Sequence, residues 1–131
     1  MIAGQVTDQY EAVVALSIVG AAGKTVHFDV VIDTGFNGWL SLPPTMIREL
    51  ELTWSQRGLA YLADGSRRIY DLSEAEIVWD HRRQLILVDE CDSMPMVGMQ
   101  LLAGHEVWMD VRAHGRVEIR RSRRGPRNGR R

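Results

Sequence analysis

The triplet Asp33-Thr34-Gly35 is the part of this sequence whose residue types are best suited to chemistry. It follows the apolar run Val30-Val31-Ile32 and precedes a further glycine, Gly38, so a carboxylate stands where a buried strand gives way to a glycine-rich loop. Such a carboxylate could act as a general acid or base, but Asp, Thr and Gly also favour ordinary turns. Average residue usage puts this triplet in roughly a few per cent of chains of this length. The triplet alone is therefore a weak signal, and its surroundings must decide.

Two other segments imitate the phosphate and magnesium motifs of a P-loop ATPase. They are Gly20-Ala21-Ala22-Gly23-Lys24-Thr25 and Leu85-Ile86-Leu87-Val88-Asp89-Glu90. The first glycine of the phosphate motif should stand at position 18, which is Ile18. A P-loop must also open a helix, whereas residues 26–32 are rich in β-branched residues and predict a strand. A hairpin turn and a core strand explain both segments better.

The four histidines give no metal site by spacing. His105-Glu106 begins like the helix of a zinc protease, but Met109 stands where the second histidine should be. His27, His81 and His114 fall on predicted strands or turns at no ligand-like spacing. We therefore expect neither a metal nor another cofactor.

Composition indicates one soluble globular domain. The chain has 131 residues, of which 45% are hydrophobic and 25% charged. Cys91 is the only cysteine, so no intrachain disulfide can form. Residues 1–11 contain no Lys or Arg, and the nearly apolar run 12–23 is too short to cross a bilayer. We expect a cytoplasmic protein with no membrane partner.

The formal net charge of -1 conceals an uneven distribution along the chain. Residues 1–119 hold 17 acidic and 9 basic side chains, whereas residues 120–131 hold 7 arginines and no acid. This pattern predicts an acidic folded domain over 1–119 and a disordered Arg-rich tail over 120–131. The tail could contact nucleic acid, but no aromatic residue is interleaved with its arginines to stack on bases.

The elements that must position Asp33 follow an all-β pattern, in which short alternating or β-branched runs are broken by Gly and Asp. Asp64-Gly65 and Asp80-His81 each predict the turn of a hairpin. Strands are predicted at 10–19, 25–32, 39–42, 59–63, 67–72, 76–79, 84–88, 106–111 and 116–120, with a short helix at 44–50 and a helical turn at 99–103.

With the triplet at Asp33, the downstream segment Met96-Val97-Gly98 makes the chain resemble the retropepsin-type (clan AA) aspartic proteases, in particular their small single-domain bacterial members. In that family a segment of two hydrophobic residues and a glycine crosses the Asp-Thr-Gly loop. The resemblance covers residues 10–119 and includes a flap-like hairpin at 62–66. Gln100 departs from the pattern, because the family usually has Asp or Asn two residues after that glycine.

The resemblance implies a closed β-barrel with one or two short helices and one lobe per chain. Aspartic chemistry needs two facing carboxylates, and this chain has a single triplet, so the resemblance implies a homodimer with Asp33 from each subunit. The same resemblance implies that Asp33 activates water and that the Thr34 hydroxyl forms a hydrogen bond across the dimer axis. It also implies that Gly35, which has no Cβ, lets backbone and substrate come close to the carboxylates.

The resemblance also implies a flap and a set of residues near the substrate. The hairpin would close over an extended peptide or protein substrate, which would bind as an added β-strand. The expected function is an aspartic endopeptidase, and the alternative is a non-catalytic module of the same fold, associated with nucleic acid through its tail. The flap and substrate-contacting residues are expected to be Phe36, Asn37, Gly38, Ala63, Asp64, Gly65, Val97 and Gly98.

Overall fold

Ten β-strands and two short helices make up most of residues 1–123, the part of the chain that the computed structural model describes. The all-β class expected from the sequence is therefore confirmed. The helices are α1 (Pro44–Glu49) and α2 (Met99–Leu102). The strands are β1 (Ile2–Val6), β2 (Ala12–Val19), β3 (Thr25–Ile32), β4 (Leu40–Leu42), β5 (Thr53–Tyr61), β6 (Arg67–Trp79), β7 (Arg82–Glu90), β8 (Met96–Val97), β9 (His105–Met109) and β10 (Arg116–Arg121).

The hydrophobic core forms because alternate residues of each strand point to the same side of the sheet. On β2, Val14, Leu16 and Ile18 are buried, whereas the residues between them reach the surface at least in part. Helix α1 begins with a proline in its first turn and adds Ile47 to the core, as its sequence predicts. Neither helix within residues 1–123 is long and apolar enough to cross a membrane.

Strand β8 occupies an unusual place in the sheet. The strand order is β5-β6-β7-β4-β8-β3-β2-β1-β10-β9, and β6 also pairs with β2. Although β3 and β4 follow each other in the chain, β8 lies between them, parallel to β3 and antiparallel to β4. In this register Val97 pairs with Ile32 on one side and with Leu40 on the other. The loop of residues 33–39 is thereby brought next to residues 96–98.

Several strands differ from the sequence-based expectation: β5 begins at Thr53, six residues before its expected start, and β8 was not expected as a strand. The segments expected as separate strands at 67–72 and 76–79 are one continuous strand, β6, because residues 67–74 pair with β5 and residues 72–79 pair with β7, so pairing continues through residues 73–75. β1 was not expected, since only Val6 of its five residues is buried. β1 nevertheless pairs with both β2 and β10.

The folded region also extends past the expected domain boundary at residue 119. Arg120 pairs with Glu106 and Arg121 with His105, so β10 continues into what was expected to be the tail. Pairing with β9 supplies backbone hydrogen bonds that composition alone does not reveal. The remainder of the expected disordered tail, residues 124–131, lies outside the described residues.

Candidate functional site

Backbone hydrogen bonds fix the Asp33 loop at the end of β3. The Asp33 N–H donates to the Val97 carbonyl over 2.9 Å, which continues the β3–β8 pairing by one residue. The Asp33 carboxylate Oδ1 accepts the Gly35 N–H at 2.9 Å. The half-buried Asp33 side chain is therefore held by its own loop, whereas Thr34 is exposed beside it.

The segment after β8 holds the other half of the same loop. The N–H groups of Gly98, Met99 and Gln100 donate to the carbonyls of Trp39, Phe36 and Gly38, at 3.0, 2.8 and 3.1 Å. These three bonds satisfy the loop carbonyls without any side chain. The amide group of Gln100, where the resembling family usually has Asp or Asn, is therefore not needed for this contact.

Glycine is required at two points where the loop and this segment touch. A Cβ on Gly98 would lie 2.3 Å from the Gly38 carbonyl oxygen and 2.6 Å from the Phe36 ring. A Cβ on Gly38 would lie 2.5 Å from the same ring. At Gly98 the obstacle is backbone, so the two segments can approach this closely only without a side chain there. At Gly38 the obstacle is the Phe36 ring, which a side chain would displace.

A cavity of about 630 Å³ opens beside the Asp33 loop. One wall is the loop itself, and the other is formed by five strands and their ends, on which most of the lining residues alternate along the chain and so share one face of the sheet. The cavity-facing residues of these strands and their ends are Ser41 (β4), Ala60 and Leu62 (β5), Arg68, Tyr70 and Leu72 (β6), Leu87, Asp89, Glu90 and Cys91 (β7) and Met96 (β8), joined by Trp39 and Gln100.

The β5–β6 hairpin forms the outer side of this cavity. Its turn is closed by the Gly65 N–H, which donates to the Leu62 carbonyl at 2.9 Å, and Gly65 has the positive φ of +83° that an Asp-Gly turn favours. The Ser66 N–H and hydroxyl donate to the Asp64 carboxylate and hold the pKa of that carboxyl below its usual range. The turn is thus well defined in an exposed position.

The structure brings most of the expected site residues together around one cavity. Asp33, Gly35, Phe36, Asn37 and Gly38 line it. Val97 and Gly98 are buried beneath the loop and support it. Ala63, Asp64 and Gly65 lie at the hairpin turn and do not line the cavity, whereas their neighbours Ala60 and Leu62 do.

Asp89 is the most perturbed group on the cavity wall and was missed as a site residue. Burial raises the pKa of this carboxyl to about 6. The pKa of Tyr70 is also raised, first by burial and then by the negative charge of Asp89. In the sequence, Asp89 attracts notice only through the imitation of a magnesium motif. The alternation Leu87, Asp89, Cys91 would have placed it on the face opposite the core.

Within residues 1–123 no group of three or more His, Cys, Asp and Glu side chains could hold a metal ion. No protein-family model matches the chain, and neither a curated protein nor a solved structure is significantly similar to it.

Proposed function

We propose that the protein is an aspartic endopeptidase of the retropepsin type, active as a homodimer. The observation that carries the proposal is the Asp33 carboxylate in a loop clamped by residues 96–100 at the rim of a large cavity. A rigid carboxylate that faces a space for substrate is what general acid–base hydrolysis requires. The clamp matches the crossing of the Asp-Thr-Gly loop expected from the resemblance.

The strand pairings support a closed barrel as the finer description of the fold. Pairing passes from β6 through β7, β4, β8 and β3 to β2, and β2 pairs back to β6. The contact that closes this circuit joins Ser17, Ile18 and Val19 to residues 76–78. A circuit of six strands around the Leu16 and Ile77 side chains is the arrangement that we assign to one retropepsin-like lobe.

In the proposed reaction, the Asp33 carboxylates of two subunits share one proton across the dimer axis. The ionised carboxylate takes a proton from a water molecule while the water oxygen attacks the peptide carbonyl carbon. The other carboxyl group protonates the carbonyl oxygen. Collapse of the tetrahedral intermediate returns a proton to the leaving nitrogen and breaks the C–N bond. The exposure of Thr34 and Gly35 leaves the loop accessible to the same loop of a second copy.

The cavity under the β5–β6 hairpin suits an extended peptide. Its lining holds both apolar and polar side chains, spread over five strands, which gives a strand-like substrate a series of separate side-chain contacts. The hairpin is joined to the rest of the sheet along β6 and would act as the flap.

Cleavage of an unstructured peptide library tests the proposal directly. We expect the wild-type protein to hydrolyse peptides and a statine-type transition-state mimic to inhibit it. Asp33→Asn should lower kcat/KM by roughly a thousandfold or more. Asp29→Asn, which changes an exposed carboxylate on the same strand, is the matched control and should retain activity. Cleavage that survives Asp33→Asn would contradict the proposal, and a wild-type protein that cleaves nothing would favour the non-catalytic module.

Mixing of subunits tests the shared site. If each active site needs one carboxylate from each chain, an excess of Asp33→Asn protein should suppress wild-type activity by forming mixed dimers. An excess of the Asp29→Asn protein should not. Activity that stays proportional to the wild-type subunits present would rule out a site at the dimer axis.

A further inference from the structure

Asp89 lies at the centre of the cavity wall, on β7 between two other strands. It pairs with Ser41 of β4 on one side and with Leu72 of β6 on the other. Its Oδ1 atom is 3.4 Å from the position that a Cβ on Gly38 would occupy. The carboxylate therefore lies next to the Asp33 loop, on the wall that a bound substrate would touch.

The polar groups at this point have no partners within the protein. Among residues 1–123, no hydrogen bond or ion pair joins the Asp89 carboxylate to another side chain. Ser41, its neighbour in the register, is 2% exposed, and its hydroxyl has no hydrogen-bond partner. Buried polar groups are nearly always paired, because leaving one without a partner costs roughly 1–3 kcal/mol. The Ser41 hydroxyl is such a buried group, and the half-buried Asp89 carboxylate beside it faces the cavity, so this patch of the wall points to a ligand that pairs with the carboxylate.

The charges around the cavity determine what kind of ligand group this is. Asp33, Asp89 and Glu90 line it, and Arg68 is the one cationic side chain of the described residues that does so. Arg68 is four residues along β6 from the position that pairs with Asp89, which is about 13 Å in an extended strand. No ion pair joins Arg68 to Asp89 among the described residues, and the part of the cavity near the Asp33 loop is acidic.

We propose that Asp89 is the base of a substrate subsite for a cationic side chain, so that the protein selects peptides with Arg or Lys close to the bond it cleaves. The ammonium or guanidinium group donates to the Asp89 carboxylate, and its arrival brings a donor within reach of the Ser41 hydroxyl. This inference rests on the proposed function for the position of the substrate. The apolar side chains Leu72 and Leu87 flank Asp89 and would pack against the stem of the bound side chain.

Binding to a protein that cannot cleave separates this inference from catalysis. Asp33→Asn protein is titrated with two short peptides that differ only in arginine or its uncharged isostere citrulline, and the dissociation constants are measured by calorimetry. We expect the arginine peptide to bind about tenfold more tightly. The preference should vanish in Asp33→Asn/Asp89→Asn and persist in Asp33→Asn/Asp92→Asn, where the changed carboxylate is exposed and outside the cavity.

Each result of this experiment bears on Asp89 whether or not the wild type is a protease. Equal binding of the two peptides, binding of neither, or a preference that survives Asp89→Asn would overturn the subsite. Failure of the proposed function has a different signature, in which the wild-type protein cleaves nothing. If the wild type cleaves, the cleavage sites in a peptide library should be enriched in Arg or Lys at one fixed position, and Asp89→Asn should raise KM for those peptides with little change in kcat.

Discussion

Asp80 and Asp89 lie near the two ends of β7, yet their surroundings are opposite. The Asp80 carboxylate is 8% exposed and is surrounded by cationic partners: the Met1 amino group at 3.0 Å, Arg121 at 3.3 Å and the His105 ring at 3.6 Å, the last one cationic only when protonated. Asp89 is half-buried and has no partner among the described residues. The two carboxyls are accordingly shifted in opposite directions. The Met1 amino group and Arg121 lower the pKa of Asp80, and burial raises that of Asp89.

This difference separates a carboxylate that serves the fold from one that is free for a ligand. Asp80 joins the first residue of the chain, the β6–β7 turn and the last strand, so its charge is used to hold distant segments together. Burial of the charged Asp89 carboxylate lowers the free energy of unfolding at neutral pH. A cost of this kind at a cavity wall is typical of functional sites.

The Asp33 loop is a third case, because packing and backbone hydrogen bonds hold it and ion pairs do not. Gly98→Ala should give the largest effect on stability, a loss of about 3 kcal/mol, since the new Cβ would meet the Gly38 carbonyl at 2.3 Å. Denaturant unfolding measures it. Gly20→Ala, whose Cβ would have its nearest neighbours at 3.4–3.6 Å, is the control and should change little. Equal stability of the two variants would show that the loop can move away from residue 98.

Asp80→Asn should have the next largest effect. Asparagine tolerates the positive φ of +48° at this position, so the turn is kept and only the charge is lost. Because the pKa of Asp80 is lowered in the folded protein, its stabilising effect is present above the ordinary pKa near 4 and is lost as pH falls. We expect a loss of about 1–2 kcal/mol near neutral pH, which shrinks towards zero in acid and in high salt.

A matched change at an exposed carboxylate, Asp92→Asn, should leave the unfolding free energy unchanged near neutral pH. If Asp80→Asn is as stable as Asp92→Asn near neutral pH, the ion pairs of Asp80 do not stabilise the fold.

Asp89→Asn should have the smallest effect and the opposite sign. Between the ordinary carboxyl pKa near 4 and the value of about 6 in the folded protein, the folded state binds the extra proton, so stability falls as pH rises through this window. Removing the charge should therefore stabilise the protein near pH 8 and should change nothing near pH 4. The gain near pH 8 should be only roughly 1 kcal/mol, because solvent screens the charge of a half-buried group. A loss of stability near pH 8 would mean that the charged carboxylate has a partner in the folded protein.

Much of the fold could be predicted from the sequence because it depends on local patterns. Alternating apolar residues predict β2 and β3, and Asp64-Gly65 predicts the hairpin turn that the structure contains. The loop at Asp33 was predicted to follow a strand, and it does, although only Val30 of the eight β3 residues is fully buried. The continuity of β6 was not predicted, because the residue types at 73–75 favour neither a buried strand nor a turn. Only the structure shows how these residues are buried.

The resemblance of Met96-Val97-Gly98 to a family pattern predicted its contact with the Asp33 loop, and the hydrogen bonds between them agree with that expectation. No local pattern could have predicted the same contact, since about sixty residues of chain separate the two segments.

What the sequence determined by itself is the all-β class, the turns and the position of one carboxylate after an apolar run. Only the tertiary structure decided that Asp80 is paired and Asp89 is not. Asp80 lies in the turn before β7 and Asp89 near the end of that strand, and the nearest strong partner of Asp80, the Met1 amino group, is 79 residues away in the chain. A carboxylate takes its pKa and its role from the charges and solvent within a few ångströms, and folding brings those neighbours from anywhere in the sequence.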